Sequence, residues 1–212
     1  MSDLHASDPA APRRRLGLFG GSFDPPHLAH RALAELALRR LALDALHWLP
    51  AGQPWQKAGR RLAPAEDRLA MLRLLVADAP GHVIDERELL RSGPSYTIDT
   101  VESLQREQPA AELFLVIGQD QYGRLDTWHR WRELVGSVTL AVAAREGVRP
   151  EPPAALRAEP HRVRELDLPD MPVSSTTIRA RAARGEPLAT LTGEPVARYI
   201  AQHHLYTEGN EH

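Results

Sequence analysis

Two histidines three residues apart, His27 and His30, follow closely on two adjacent glycines, Gly20 and Gly21, in the stretch L-G-L-F-G-G-S-F-D-P-P-H-L-A-H. Glycine lets backbone N–H groups approach a ligand where a Cβ would collide. Imidazoles at a helix entrance add donors where free N–H groups and the helix dipole already favour negative charge. Such a set suits the binding of a polyphosphate. The two imidazoles, on one helix face, also fit a metal-dependent hydrolase, although no convincing third ligand stands in register with them.

A second set lies near the other end, in V-S-S-T-T-I-R at residues 173–179. One serine there would cap a helix. Four consecutive hydroxyls exceed what a cap requires, and Ser175 and Thr176 together with the forked guanidinium of Arg179 would make a second phosphate cradle. Two anion sites in one chain favour a nucleoside triphosphate. The dinucleotide fingerprint G-x-G-x-x-G is absent after the first apolar segment.

These groups need strands and helices to hold them. Residues 16–19 read as a short buried strand, and apolar positions from Leu28 to Leu43 recur at helical spacing. Strand patterns follow at 45–50, 82–85, 112–118, 137–143 and 162–168, and helical ones at 64–78, 96–108, 128–135, 175–184 and 194–202, with a proline-rich loop at 147–160. The alternation predicts a single α/β domain, a Rossmann-like doubly wound parallel sheet closed by C-terminal helices. Residues 1–15 and 207–212 read as tails flanking a domain over 16–206. Ligands of such sheets bind beyond the carboxyl ends of the strands where strand order reverses, so the ends of 16–19 and 112–117 are expected to meet there.

Composition narrows the partners. A net charge of −2 exerts no general pull toward nucleic acid or membrane, and the absence of cysteine excludes disulfides, thiolate metal sites and a thiol nucleophile. No run approaches the ~20 apolar residues of a membrane span, and the N-terminus lacks an apolar signal region, so a cytoplasmic protein is expected. Of 26 basic residues only Lys57 is lysine, which marks it as a candidate compact charge for a phosphate. His82, His161, His203, His204 and Trp131 read as packing or surface residues. Glu86, Arg87 and Glu88 read as a solvated charged stretch, and Asp24 as a turn residue bonding its own backbone.

The combination G-G-S-F-D-P-P-H-L-A-H with V-S-S-T-T-I-R resembles the nucleotidyltransferases that carry H-x-G-H and I-S-S-T-x-I-R motifs. D-E-R-E-L-L-R-S-G-P-S-Y-T, V-I-G-Q-D, Thr127-Trp128 and P-V-A-R-Y-I-A-Q-H-H-L-Y resemble the bacterial nicotinate mononucleotide adenylyltransferases in particular, from about Leu16 to Tyr206. That resemblance implies transfer of AMP from ATP, accompanied by Mg²⁺, to nicotinic acid mononucleotide, with no metal held by the protein alone and a homo-oligomer left open. It places His27, His30, Lys57 and Arg179 as the catalytic field. Gly20, Gly21, Ser22, Phe23, Gly118, Asp120, Ser175 and Thr176 would join the ATP site. Thr97, Trp128 and the backbone N–H of His129 would hold the nicotinate. Two positions depart from the pattern: Ala29 replaces the glycine of H-x-G-H, and Gln56 the histidine of P-P-H-K.

Overall fold

Successive buried residues along the central strands point to opposite sides and so enter two separate cores. The computed structural model describes residues 13–53, 62–77, 79–145, 148–169 and 171–207. In order these form β1 (Arg15–Gly21), α1 (Leu28–Arg40), β2 (Ala45–Pro50), α2 (Ala65–Val76), β3 (His82–Ile84), α3 (Arg87–Leu90), α4 (Thr97–Glu107), β4 (Glu112–Gly118) and α5 (Gln119–Tyr122). There follow α6 (Trp131–Ser137), β5 (Thr139–Arg145), α7 (Ala154–Arg157), β6 (Arg162–Leu168), α8 (Ser175–Ala183), α9 (Ala189–Thr192) and α10 (Glu194–Gln202).

The strands make one six-stranded sheet in the order β3-β2-β1-β4-β5-β6, every pair parallel. Phe19, Leu46, Trp48, Phe114, Val116 and Ala141 pack with α1, α2, α8 and α10 on one face. Leu16, Leu18, Leu49, Leu115, Ile117 and Val142 pack with α4, α6 and α7 on the other. Burying each large apolar side chain contributes about 1.5–3 kcal/mol, so a sheet filled on both faces holds its centre more firmly than its loops. Strand order reverses between β1 and β4, the arrangement expected from the alternating pattern.

Several boundaries differ from the sequence reading, each for a local reason. Gly20 and Gly21 continue β1 and pair with Leu49 and Pro50 instead of ending the strand. Arg15, read as tail, already belongs to β1, and its backbone N–H donates to Asp44 at 2.7 Å. α1 stops at Arg40, before the left-handed Ala42 (φ 47°). α6 begins at Trp131 rather than 128 because Arg130 is left-handed (φ 51°) and Trp128 closes a 3₁₀ turn at Leu125–Thr127. α3, α5, α7 and α9 span four residues each, too few for an apolar period to show. His82 is a packing residue as expected: its Nδ1 accepts the indole N–H of the fully buried Trp48 at 2.9 Å.

Candidate active site

The carboxyl ends of β1 and β4 part around a cavity of about 520 Å³. Gly20, Gly21, Ser22, Phe23 and His30 line one side, and Gly118 and Asp120 another. Thr97 and Trp128 form one end, and Ser175 reaches it from α8. A Cβ at Gly20 or Gly118 would meet no protein atom within 4 Å, so the bare backbone there leaves space for a ligand rather than for packing. His27, Thr176, Arg179, His129 and Ala29 stand outside the cavity wall. Lys57 and Gln56 lie outside the described residues.

At the phosphate end, His27 is the N-cap of α1 and His30 the third residue inside it, with their rings stacked at 3.6 Å. His30 Nδ1 accepts the backbone N–H of His27 at 3.2 Å, so a neutral His30 carries its hydrogen on Nε2. The ring rests edge-on against Phe23, 5.2 Å between centroids. Phe23 is itself 2% exposed and packs on Phe19 and Trp48; it is the floor of the site more than a loop contact. No acidic residue stands in the first turn of α1 or of α8, where helices ordinarily gain from one. Both N-termini thus keep their field for an external anion.

His27 is buried, and desolvation pushes its pKa down from 6.5 to about 4. A base whose folded pKa lies below its unfolded value binds more protons when unfolded, so this contribution is fully present above pH 6.5 and is lost as pH falls toward 4. The protein is expected to lose about 2 kcal/mol between pH 7 and pH 5 through this group. Urea midpoints across that range check it: His27→Gln should flatten the slope, and an unchanged slope would refute the assignment.

The hydroxyls at the start of α8 divide their work. Ser174 is the N-cap, its Oγ accepting the N–H of Thr177 at 3.1 Å. Ser175 Oγ donates to the Pro25 carbonyl at 2.9 Å and Thr176 Oγ1 accepts from Arg179 at 3.1 Å. Arg179 also donates to the Asp24 carbonyl at 2.6 Å and sits 3.7 Å from the Asp24 carboxylate. Arg179 is therefore held against the turn at 22–26 and does not face the cavity. Asp24 is no self-bonding turn residue either: it is 1% exposed, and its Oδ1 accepts Ala63 N–H at 3.2 Å and Tyr206 O–H at 2.8 Å.

Sequence reading missed Arg68, which is 2% exposed and donates to the carbonyls of Ser22, Ala51 and Ala63 at 2.9–3.0 Å. It ties the exits of β1 and β2 to the start of α2. Its pattern offered only an arginine on an amphipathic helix, which is ordinarily solvated.

At the opposite end, Glu88 overturns the reading of 86–88 as a solvated stretch. It is buried, lines the cavity, and accepts the Thr100 O–H at 2.8 Å; burial pushes its pKa up. Arg87 bridges Asp85, Ser103 and Glu107. Burial alone would raise the pKa of Asp85, but hydrogen bonds from His47 and Arg87 outweigh it and hold the carboxylate well below its usual range. Ser95 Oγ accepts the N–H groups of Gly52 and Gln53. A Cβ at Gly52 would stand 2.4 Å from the Glu88 carbonyl, so this approach requires glycine. Trp128 is half-buried, and its Nε1–H has no partner among the described residues. His129 stacks its ring on Tyr96, 4.2 Å between centroids, one residue behind the wall at Thr97.

Among the described residues no three His, Asp or Glu side chains are grouped to hold a cation, and no helix is long and apolar enough to cross a membrane. A family model described as cytidylyltransferase-like matches residues 18–181. A probable nicotinate-nucleotide adenylyltransferase of Methylibium petroleiphilum is 52% identical over 201 residues, covering 93% of this chain and 94% of that protein. One of the same name from Albidiferax ferrireducens is 46% identical over 198 residues, covering 91% and 98%. The structure of Plasmodium falciparum nicotinic acid mononucleotide adenylyltransferase complexed with NaAD superposes with a TM-score of 0.76 over 92% of this chain and 98% of that one. At 16% sequence identity this is a likeness of fold.

Proposed function

The chain belongs to the nicotinate-nucleotide adenylyltransferases within the cytidylyltransferase-like family, and from that premise we propose that it transfers the adenylyl group of ATP to nicotinic acid mononucleotide in NAD synthesis. The observation that carries this reading is 52% identity across nearly the whole of both chains to a relative of that name. The cavity at the strand-order reversal, flanked by two helix N-termini free of acid, supports it independently.

In this reaction a phosphate oxygen of the mononucleotide attacks the α-phosphorus of ATP. The bond from that phosphorus to the bridging oxygen of the β-phosphate breaks, and pyrophosphate leaves with the electron pair. The attacking oxygen is already ionised at neutral pH, so neither an enzyme nucleophile nor a strong base is needed. Catalysis reduces to alignment and to stabilising charge that grows on the α-phosphate and the leaving group.

His30, on the wall, donates to the phosphates. His27, neutral when the site is empty of anions, gains proton affinity as phosphate charge arrives beside it. The N–H groups of Gly20 and Ser22, with Gly21 lining the wall between them, and the N-terminus of α8 with Ser175 and Thr176 complete the cradle. Gly118 and Asp120 lie between the two nucleotides, and Thr97, Trp128 and the neighbouring backbone at His129 take the nicotinate ring and carboxylate. Mg²⁺ would suit this site as an ion brought in by the triphosphate, with Asp120, the exposed carboxylate among the lining residues, able to help hold it. When bound it neutralises charge on the β- and γ-phosphates.

The test is pyrophosphate release with ATP and Mg²⁺ using nicotinic acid mononucleotide, nicotinamide mononucleotide or phosphopantetheine as acceptor. Release is expected to be strongest with the acid nucleotide. Comparable rates with the amide would remove the acid preference, and release with phosphopantetheine alone would replace the reading by a different acceptor class.

A further inference from the structure

Tyr206 lies 182 residues from Asp24 in sequence, yet its hydroxyl donates to the buried Asp24 Oδ1 at 2.8 Å. Burial and the charge of Asp24 raise the phenol's pKa well above its usual value, so it stays a donor at any working pH. The end of the chain is built to deliver this group. α10 is fixed to α2 by Tyr199, whose hydroxyl donates to Asp67 at 2.8 Å, and His204 and Tyr206 both adopt left-handed backbone (φ 51° and 63°) to turn back toward the site. A left-handed conformation in a bulky residue costs on the order of 1–3 kcal/mol and persists where surrounding contacts dictate it.

The carboxylate that Tyr206 holds has two unequal oxygens. Oδ1 is occupied by Tyr206 and the N–H of Ala63, whereas Oδ2 has no hydrogen-bond partner among the described residues and faces the Arg179 guanidinium at 3.7 Å, beyond hydrogen-bond range. Arg68 ties the start of the turn at Ser22 to the backbone of Ala51 and of Ala63, the residue whose N–H also reaches Asp24. Asp24 is thereby kept from closing a full ion pair with Arg179. That guanidinium retains the backbone contact that orients it and keeps its charge for another anion.

We propose that Tyr206, acting through Asp24, is a positioning residue that limits how tightly Arg179 is held and so sets the affinity of the site for the phosphates of ATP. The inference rests on the nucleotide reading above. Neither Tyr206 nor Asp24 lines the cavity, and Asp24 meets Arg179 both through its carbonyl at 2.6 Å and across 3.7 Å from its carboxylate, so the effect is carried by Arg179.

Tyr206→Phe keeps the ring and removes the donor. Titration calorimetry with a non-hydrolysable ATP analogue should show binding weakened about tenfold, with KM for the mononucleotide changed less than twofold. In an Arg179→Ala background the same substitution should leave kcat/KM for ATP unchanged, because with the guanidinium gone Asp24 has nothing left to position and the two substitutions become non-additive. Equal analogue affinity in Tyr206→Phe and the unsubstituted protein would overturn the inference alone. So would an equal fall in kcat/KM with or without Arg179, which marks a merely structural role. Failure of the unsubstituted protein to bind the analogue would overturn the nucleotide reading and this inference with it.

Discussion

His30→Ala should lower kcat/KM for ATP by about 10²–10³-fold while moving the melting temperature by only a few degrees. Removing one preorganised donor aimed at developing charge in a water-poor site typically has an effect of that size on turnover. The structural loss is smaller. His30 is half-buried at the third position of α1, where alanine is an excellent helix residue, and the contacts forfeited include the stack on the His27 ring, a tilted contact with Phe19, an edge contact with Phe23 and the hydrogen bond from His27 N–H. Steady-state kinetics beside thermal denaturation separates the two. If turnover falls only as far as the folded fraction falls, His30 is a packing residue and the phosphates are held elsewhere. His30→Gln, which restores a donor of similar reach, should recover part of the rate if the donor is what matters.

The strand framework was readable because a parallel sheet covered on both faces needs continuous apolar runs, which 113–117 and 140–144 supply, whereas the outermost strand at 162–168 keeps only Val163, Leu166 and Leu168. The meeting of β1 and β4 follows from topology alone, which is why Gly20 and Gly118, at the ends of the two strands, border one cavity. Side-chain type at a known spot, however, does not report a partner far along the chain. Nothing around Asp24 announces Tyr206 or Ala63, and nothing around Arg68 announces three converging carbonyls. Glu88 misled for the opposite reason. E-R-E reads as surface, but α3 turns Arg87 toward Glu107 and Glu88 inward onto Thr100. The sign that was available is the nearness of Glu88 in sequence to Thr97, which the family resemblance sets at the nicotinate.

Arg179 tests the site from its other side, and its position makes the test sharper than sequence suggested. The resemblance aims it at the triphosphate, whereas here it donates to the Asp24 carbonyl at 2.6 Å and to Thr176 at 3.1 Å, largely covered by its neighbours. Both facts fit if one nitrogen keeps the backbone contact as an anchor while the rest of the planar head, carrying five N–H donors in all, turns to phosphate oxygens. Arg179→Ala removes the anchor and the charge together, and kcat/KM for ATP is expected to fall by about 10²–10³-fold. Arg179→Lys keeps a charge but cannot hold the carbonyl and fork a phosphate at once, so it should restore no more than a tenth to a hundredth of the activity. If lysine restores full turnover, a point charge suffices and the Asp24 contact is incidental to catalysis. If alanine loses activity only through a lowered melting temperature, Arg179 serves the turn and not the phosphates. The split between kcat and KM distinguishes the rest: a loss in KM for ATP alone means the arginine binds ground state and transition state equally. An equal loss in kcat and kcat/KM means its contact forms as pyrophosphate departs.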